Sequence, residues 1–227
     1  MKRVVVAELL DTDAGTPREV EDSLQDLRMF NRWFGGVHTM ASLLRRVAQQ
    51  RGLNEISWVD VAGGEGYVAT ETERSLARFG IIARPVILDR APTHLGKVHP
   101  GICGDAMALP FRDNSFDAVC CSLFLHHLEP EQIVSFVREG LRVARHAFLI
   151  QDLVRHPLHL AFGYLGLPIY RSRITRHDAL ASVRRAYTVP EVQKMLASIS
   201  DPGNIEIKTF FLFRMGVIVW KQPSMTL

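Results

Sequence analysis

The chain predicts an α/β fold with a mostly parallel sheet, and three features carry that prediction. Short β-rich runs alternate with amphipathic helices from Ile56 to Gln151. A glycine-rich turn, Asp60-Val61-Ala62-Gly63-Gly64-Glu65-Gly66, lies between the first strand of that alternation and its helix. Acidic residues, Asp89 and Asp105, follow the next two strands.

The elements can be taken in order. The first 15 or so residues carry no clear period. From Pro17 to Arg51 the pattern is helical, with Val20, Leu24 and Leu27 on one face, a break at Gly35-Gly36, then Met40, Leu43, Leu44 and Val47. Gly52 is placed to cap the second helix. Strands are expected at Ile56 to Val61, Pro85 to Leu88, near Gly101 to Cys103, Phe116 to Ser122 and Ala147 to Gln151. Helices are expected from Tyr67 to Phe79, and from Pro130 to Val143 with Ile133, Phe136, Val137 and Leu141 on one face. Leu153 to Thr188 breaks the rhythm with aromatics, prolines and arginines, including Phe162, Tyr164, Tyr170, Arg171, Arg173, Arg176, Arg184 and Arg185. A helix from Pro190 to Ile199 follows, then two β segments within Ile205 to Trp220, made antiparallel by a turn near Arg214 to Gly216. The whole is a Rossmann-like, seven-stranded, mostly parallel sheet with an antiparallel C-terminal strand. The expected parts are a helical N-terminal lid (1–53), a cofactor-binding core (54–152), an acceptor-cap insertion (153–188) and a closing helix and strand pair (189–227), all one domain.

Composition narrows the function classes. The 227 residues are 47% apolar and 22% charged, ordinary for a globular domain. A net charge of +3 demands no nucleic-acid partner, and none is expected. No apolar run is long enough to span a bilayer, and the N-terminal apolar stretch ends at Glu8, too early for a signal peptide, so a cytoplasmic location is expected. Cys103, Cys120 and Cys121 have no metal-ligand spacing and read as core thiols; no metal is expected.

The glycine turn opens a helix, where backbone N–H groups point outward and side chains would block a ligand. Gly64-Glu65-Gly66-Tyr67-Val68-Ala69 also fits the dinucleotide pattern, which leaves two cofactors open. Asp89 stands where a carboxylate can accept from both ribose hydroxyls, and Asp105 where one can accept from an adenine amino group.

Trp58 to Asp152 resembles the class I S-adenosylmethionine-dependent methyltransferases, especially the bacterial small-molecule branch that includes the ubiquinone and menaquinone biosynthesis enzymes. The resemblance rests on Asp60 through Gly66, on Asp89, on Asp105-Ala106 before Leu109-Pro110-Phe111, and on Asn114 to Val119 followed by Leu123-Phe124-Leu125-His126-His127-Leu128. It departs at Ala62, where the family has its first glycine, and at Leu141 to His146, where the family has a Leu-Lys-Pro-Gly-Gly turn. It implies S-adenosylmethionine as cofactor, held by Asp60, Ala62, Gly63, Gly64, Gly66, Asp89, Arg90, Asp105, Ala106 and Ser122. Asn31 or Arg32, in a segment also seen ahead of some family cores, is expected on the methionine carboxylate, and Trp33 on the acceptor pocket. An acidic Asp60 favours this reading over a dehydrogenase, which usually has an apolar residue there.

His126 and His127 are the candidates for a general base, since an imidazole titrating near pH 6.5 can take a proton from a phenol or enol. Residues 153–188 would lie above the sheet's C-terminal edge, where their apolar, aromatic and basic mix suits an aromatic or apolar acceptor with a polar or anionic group. The expected reaction is O- or C-methylation of a phenolic, quinol-like or polyketide-like small molecule. The alternatives are an NAD-dependent oxidoreductase and a non-catalytic S-adenosylmethionine-binding protein.

Overall fold

The computed structural model describes residues 1–12, 14–200 and 202–222. Its elements are α1 (Pro17–Trp33), α2 (Gly36–Arg51), β1 (Glu55–Val61), α3 (Tyr67–Ala77), β2 (Ile82–Asp89), β3 (Gly101–Cys103), β4 (Phe116–Ser122), α4 (Pro130–Val143), β5 (Ala144–Leu153), α5 (Pro157–Gly166), α6 (Arg173–Arg185), α7 (Val189–Leu196), β6 (Ile205–Phe210) and β7 (Arg214–Trp220). Local sequence sets several boundaries. Thr16 and Glu19 form a capping box that starts α1. Gly52, at φ +64°, ends α2 as expected.

The strands form one sheet in the order β3-β2-β1-β4-β5-β7-β6. All pairs from β3 to β5 are parallel, and β7 runs antiparallel to both β5 and β6. The seven-stranded expectation therefore holds. The all-parallel sheet usual for dinucleotide-binding folds lacks this inserted antiparallel strand.

Two apolar layers cover the sheet. One face packs Val59, Val119, Phe148 and Val217 against Ile133, Phe136 and Val137 of α4 and Val192 of α7. The other packs Trp58, Ala118, Leu149 and Ile218 against α2 and α3. Cys120 and Cys121 fall in opposite layers, the pleat sending neighbours to opposite faces.

Three expectations need correction. Helix α2 is not part of a lid: Met40, Leu44 and Val47 are fully buried against the sheet. The second strand begins at Ile82 and runs through Pro85, not from it. Its partner β3 reaches only Ile87 to Asp89, so at Pro85 the β3 side is an open edge, where a missing N–H is tolerated. The C-terminal turn lies at residues 211–213, with Phe213 at φ +53°. Gly216 is inside β7, opposite Lys208, because a Cβ there would come within 2.7 Å of the Phe210 ring. A packing glycine was read as a turn glycine.

Candidate functional site

Chain order along the sheet reverses between β1 and β4, and in open α/β sheets the crevice at such a point is where ligands sit. A cavity of about 1400 Å³ occupies that place. Its floor is the C-terminal ends of β1, β2 and β4; its walls and roof come from residues 8–12, α1, α5 and α6. The roof is tied together by polar contacts. Buried Asp26 of α1 accepts from the Arg171 and Ser172 amides, 2.9 and 3.3 Å, at the start of α6. Asp178 of α6 accepts from the amides of Leu9 and Leu10, 2.8 and 3.0 Å, drawing the N-terminal segment across the opening.

One half of the cavity is organised by the glycine turn. Gly64 and Gly66 adopt φ +54° and +77°, which L side chains rarely take, and no atom lies within 4 Å of where a Cβ on Gly64 would stand. Ala62 also sits at φ +57°. A left-handed alanine costs about 1–2 kcal/mol, so the departure from glycine is a backbone strain at a residue that lines the cavity. Asp89 ties the turn down: its carboxylate accepts from the Gly64 amide at 2.9 Å and the Ala91 amide at 3.0 Å. Asp60 is different. It is 1% exposed, and neither carboxylate oxygen has a hydrogen-bond partner among the described residues. Burial, reinforced by the nearby Asp89 charge, pushes its pKa up to about 7. Ser122 Oγ and Asn31 Oδ1 line the same cavity and are likewise buried without a partner. Buried polar groups without partners in one cavity with an open glycine turn are what a polar, ammonium-bearing ligand can satisfy.

The other half gathers at the ends of β4 and β5. His126 is buried; its Nδ1 lies 2.7 Å from Asp152 Oδ1 and its Nε2 3.3 Å from Glu8 Oε1. Its own amide also donates to Asp152, at 3.1 Å. Burial alone would disfavour the imidazolium, but Asp152 and Glu8 outweigh it and raise the pKa to about 10. Asp152 is held below the usual carboxylate range, its burial opposed chiefly by the His126 charge. Both ring nitrogens face carboxylates, which favours a proton on the ring over a free general base as long as nothing else binds there. His127, less buried, places Nδ1 3.2 Å from Asp11 Oδ2 and Nε2 3.8 Å from Glu8 Oε2. Arg214, 3% exposed, lines the cavity and gives its Nε to the Phe34 carbonyl at 3.1 Å, while Nη1 has no partner among the described residues. Burial lowers its pKa to about 10, against the pull of Asp152.

Of the residues expected at the site, Asn31, Asp60, Ala62, Gly63, Gly64, Asp89, Arg90, Asp105, Ala106, Ser122, His126 and His127 all line this one cavity. Gly66 does not; it caps α3 from behind the turn. Arg32 does not either: it is exposed and its guanidinium lies over Trp33. Arg28, one turn earlier on the cavity face, pairs with Glu65 and fastens α1 to the glycine turn. Trp33 lines the rim but is 67% exposed. Among the expected arginines of the insertion, only Arg185 reaches the cavity; Arg171, Arg173 and Arg176 are exposed. Asp117, part of the fourth-strand motif, serves the fold, accepting from the Ser57 amide at 2.8 Å and pairing with Arg145 at the far end of the sheet. Sequence reasoning missed Glu8, Asp11, Asp152 and Arg214. Glu8 and Asp11 lie in a stretch without periodicity, and nothing in their spacing points to His126.

Residues 59–147 match the family model of a methyltransferase domain. No curated protein matches the chain. Among solved structures, the plantazolicin methyltransferase BpumL in complex with S-adenosylhomocysteine is similar at a TM-score of 0.67, with 14% identity over 95% of each chain. The plantazolicin methyltransferase BamL, in complex with a triazolic desmethylPZN analogue and S-adenosylhomocysteine, gives 0.66, 14% and 94% of each chain. An S-adenosylmethionine-dependent methyltransferase from Aquifex aeolicus gives 0.53 and 16%, covering 78% of this chain and 89% of its own.

Proposed function

We propose that this chain, an S-adenosylmethionine-dependent methyltransferase of class I fold, methylates an oxygen or carbon of a small aromatic or apolar acceptor. The observation that carries the reading is the partnerless Asp60 carboxyl beside the open Gly64 turn, in the same cavity as an aromatic-lined second half. The residues present fit the cofactor. Asp60, with Asn31 and Ser122, would meet the ammonium and polar end of its methionine part; Asp89 would accept from the ribose; Asp105 and Ala106 would flank the adenine. Asp105 Oδ1 accepts from the Met107 amide at 2.9 Å, and its second oxygen stays available for an amino group. When bound, S-adenosylmethionine supplies an electrophilic methyl group on its sulfonium.

The chain's own contribution is orientation and exclusion of water. Methyl transfer is a displacement for which correct alignment supplies much of the acceleration. Phe124, Phe162 and Tyr170 line the acceptor half, an environment for a flat apolar body. Arg185 and Arg214 provide positive charge for an oxyanion or carboxylate on the same molecule. The likeness to the plantazolicin enzymes extends over nearly the whole chain, roof helices included, and the substrate analogues named with them are azole-bearing. Azoles therefore belong beside phenols and polyketides in an acceptor panel.

The test is calorimetry with S-adenosylhomocysteine on the purified chain, followed by mass spectrometry of that panel with S-adenosylmethionine. Micromolar binding and a single methyl gain on an aromatic acceptor are expected. A folded chain that does not bind S-adenosylhomocysteine overturns the cofactor assignment, and binding with turnover only on proteins or nucleic acids overturns the acceptor class.

A further inference from the structure

Two histidines and one glutamate converge on a single point in the acceptor half. His126 Nε2 and His127 Nε2 both face the Glu8 carboxylate, at 3.3 and 3.8 Å. The three ligand atoms lie within 4.8 Å of one another. Each ring is held from behind: Asp152 engages His126 Nδ1 at 2.7 Å, and Asp11 engages His127 Nδ1 at 3.2 Å. This is the arrangement of metal-binding histidines, in which a carboxylate on the far nitrogen fixes the tautomer and presents the other lone pair. Glu8 Oε1 is buried, lies at the centre of the group, and makes no hydrogen bond of good geometry.

From these residues we infer a binding site for a divalent transition ion of the zinc class, with Glu8, His126 and His127 as ligands and Asp152 and Asp11 behind the histidines. Metal–ligand bonds of about 2.0–2.2 Å place neighbouring tetrahedral ligands about 3.3–3.5 Å apart. The His126–Glu8 Oε1 separation of 3.3 Å already has that value; His127 lies 3.8 Å from the other Glu8 oxygen, and with the three ligand atoms within 4.8 Å of one another it closes by rotation of its side chain or of the carboxylate. Two imidazoles and one carboxylate suit zinc, iron or cobalt rather than magnesium or calcium, which prefer all-oxygen sets. Glu8, Asp11 and Asp152 place three carboxylates around two rings; Arg185 pairs with Asp11 at 3.5 Å and lies 3.4 Å from His127 Nδ1, so the charge left for a cation is chiefly that of Glu8 and Asp152.

Three protein ligands leave at least one position open, and it faces the cavity that also holds the glycine turn. Resting on the methyltransferase reading, that position would take an oxygen of the acceptor and lower its pKa. Neither histidine need then act as a base.

The test uses Co²⁺ alone, as a spectroscopic stand-in for zinc, on the full chain stripped with a chelator. One equivalent should bind and develop visible ligand-field bands, without any cofactor present. Glu8→Gln and His127→Ala should abolish the bands while circular dichroism stays that of the parent. Asp11→Asn, at a half-exposed position, should weaken Co²⁺ about 10- to 100-fold while circular dichroism stays that of the parent. A folded chain that binds no Co²⁺, or bands that survive both ligand substitutions, overturns the inference. S-adenosylhomocysteine affinity, measured on the same samples, separates the two readings: metal binding without cofactor binding sinks the methyltransferase assignment alone, and the reverse sinks the metal site alone.

Discussion

Asp60 and Asp152 end up equally deep in the protein, each 1% exposed, near the C-terminal ends of β1 and β5 in one sheet. Their states are opposite. Asp60 has no hydrogen-bond partner among the described residues and its pKa rises to about 7; Asp152 faces His126 at 2.7 Å and is held below the usual carboxylate range. Burial is common to both, so what stands opposite decides the outcome. Asp152 is satisfied from within the chain and holds a second side chain in place. Asp60, on the proposed reading, is left for the cofactor.

The sharpest way to break this contrast is Asp89→Ala. Asp89 fastens the turn beside Asp60 and is assigned to the ribose; losing two charge-assisted hydrogen bonds of about 1.5 kcal/mol each should cost about a hundredfold in S-adenosylhomocysteine affinity by calorimetry. Co²⁺ binding at the Asp152 side should not change. Equal damage to both would show that the two halves are not separable.

A smaller effect should appear with pH. The folded pKa of Asp60, about 7, lies above its ordinary 3.8, so the neutral form persists in the cofactor-free chain until the pH passes 7. An ammonium prefers the ionised carboxylate. Affinity for S-adenosylhomocysteine should therefore rise about tenfold between about pH 6 and pH 8. Asp60→Asn should flatten that rise. The same linkage acts on stability: burial of Asp60 costs nothing below pH 3.8, and the cost grows to its full value above pH 7. A pH profile unchanged in Asp60→Asn would assign the titration elsewhere.

The smallest effect is expected at Ala62. Its φ of +57° is strained for alanine, so Ala62→Gly should relieve about 1–2 kcal/mol, less the extra freedom glycine brings to the unfolded chain. A rise of a few degrees in Tm by calorimetry is the expected readout. A fall in Tm would mean that the neighbouring contacts already accommodate the methyl group.

Most of the sheet, and the gathering of the glycine turn and its acidic residues on one cavity, were legible because their determinants are local. The β4 limits Phe116–Ser122 were read as they stand, and Gly52, Pro130 and the glycine turn announce helix ends through backbone preference alone. Misreadings arose where a residue's reason lay across the fold. Gly216 is small because Phe210 and Thr39 press on it, not because the chain turns there. Arg32 and Arg28 differ by one helical turn, and only the rotation of α1 against Glu65 tells which faces the cavity.

From residue order alone follow the alternation of strands and helices, the turn that presents backbone amides, and the acidic residues spaced for an adenosyl ligand. These depend on period, propensity and short-range geometry, which a chain carries along its length. The acceptor half is of another kind. Glu8 meets His126 because Arg3, bonded to Glu129 and the Arg185 carbonyl, and Asp178, bonded to the Leu9 and Leu10 amides, hold the N-terminal segment on both sides of it. Groups so far apart in the chain are joined by packing, and packing is decided when all the layers close at once.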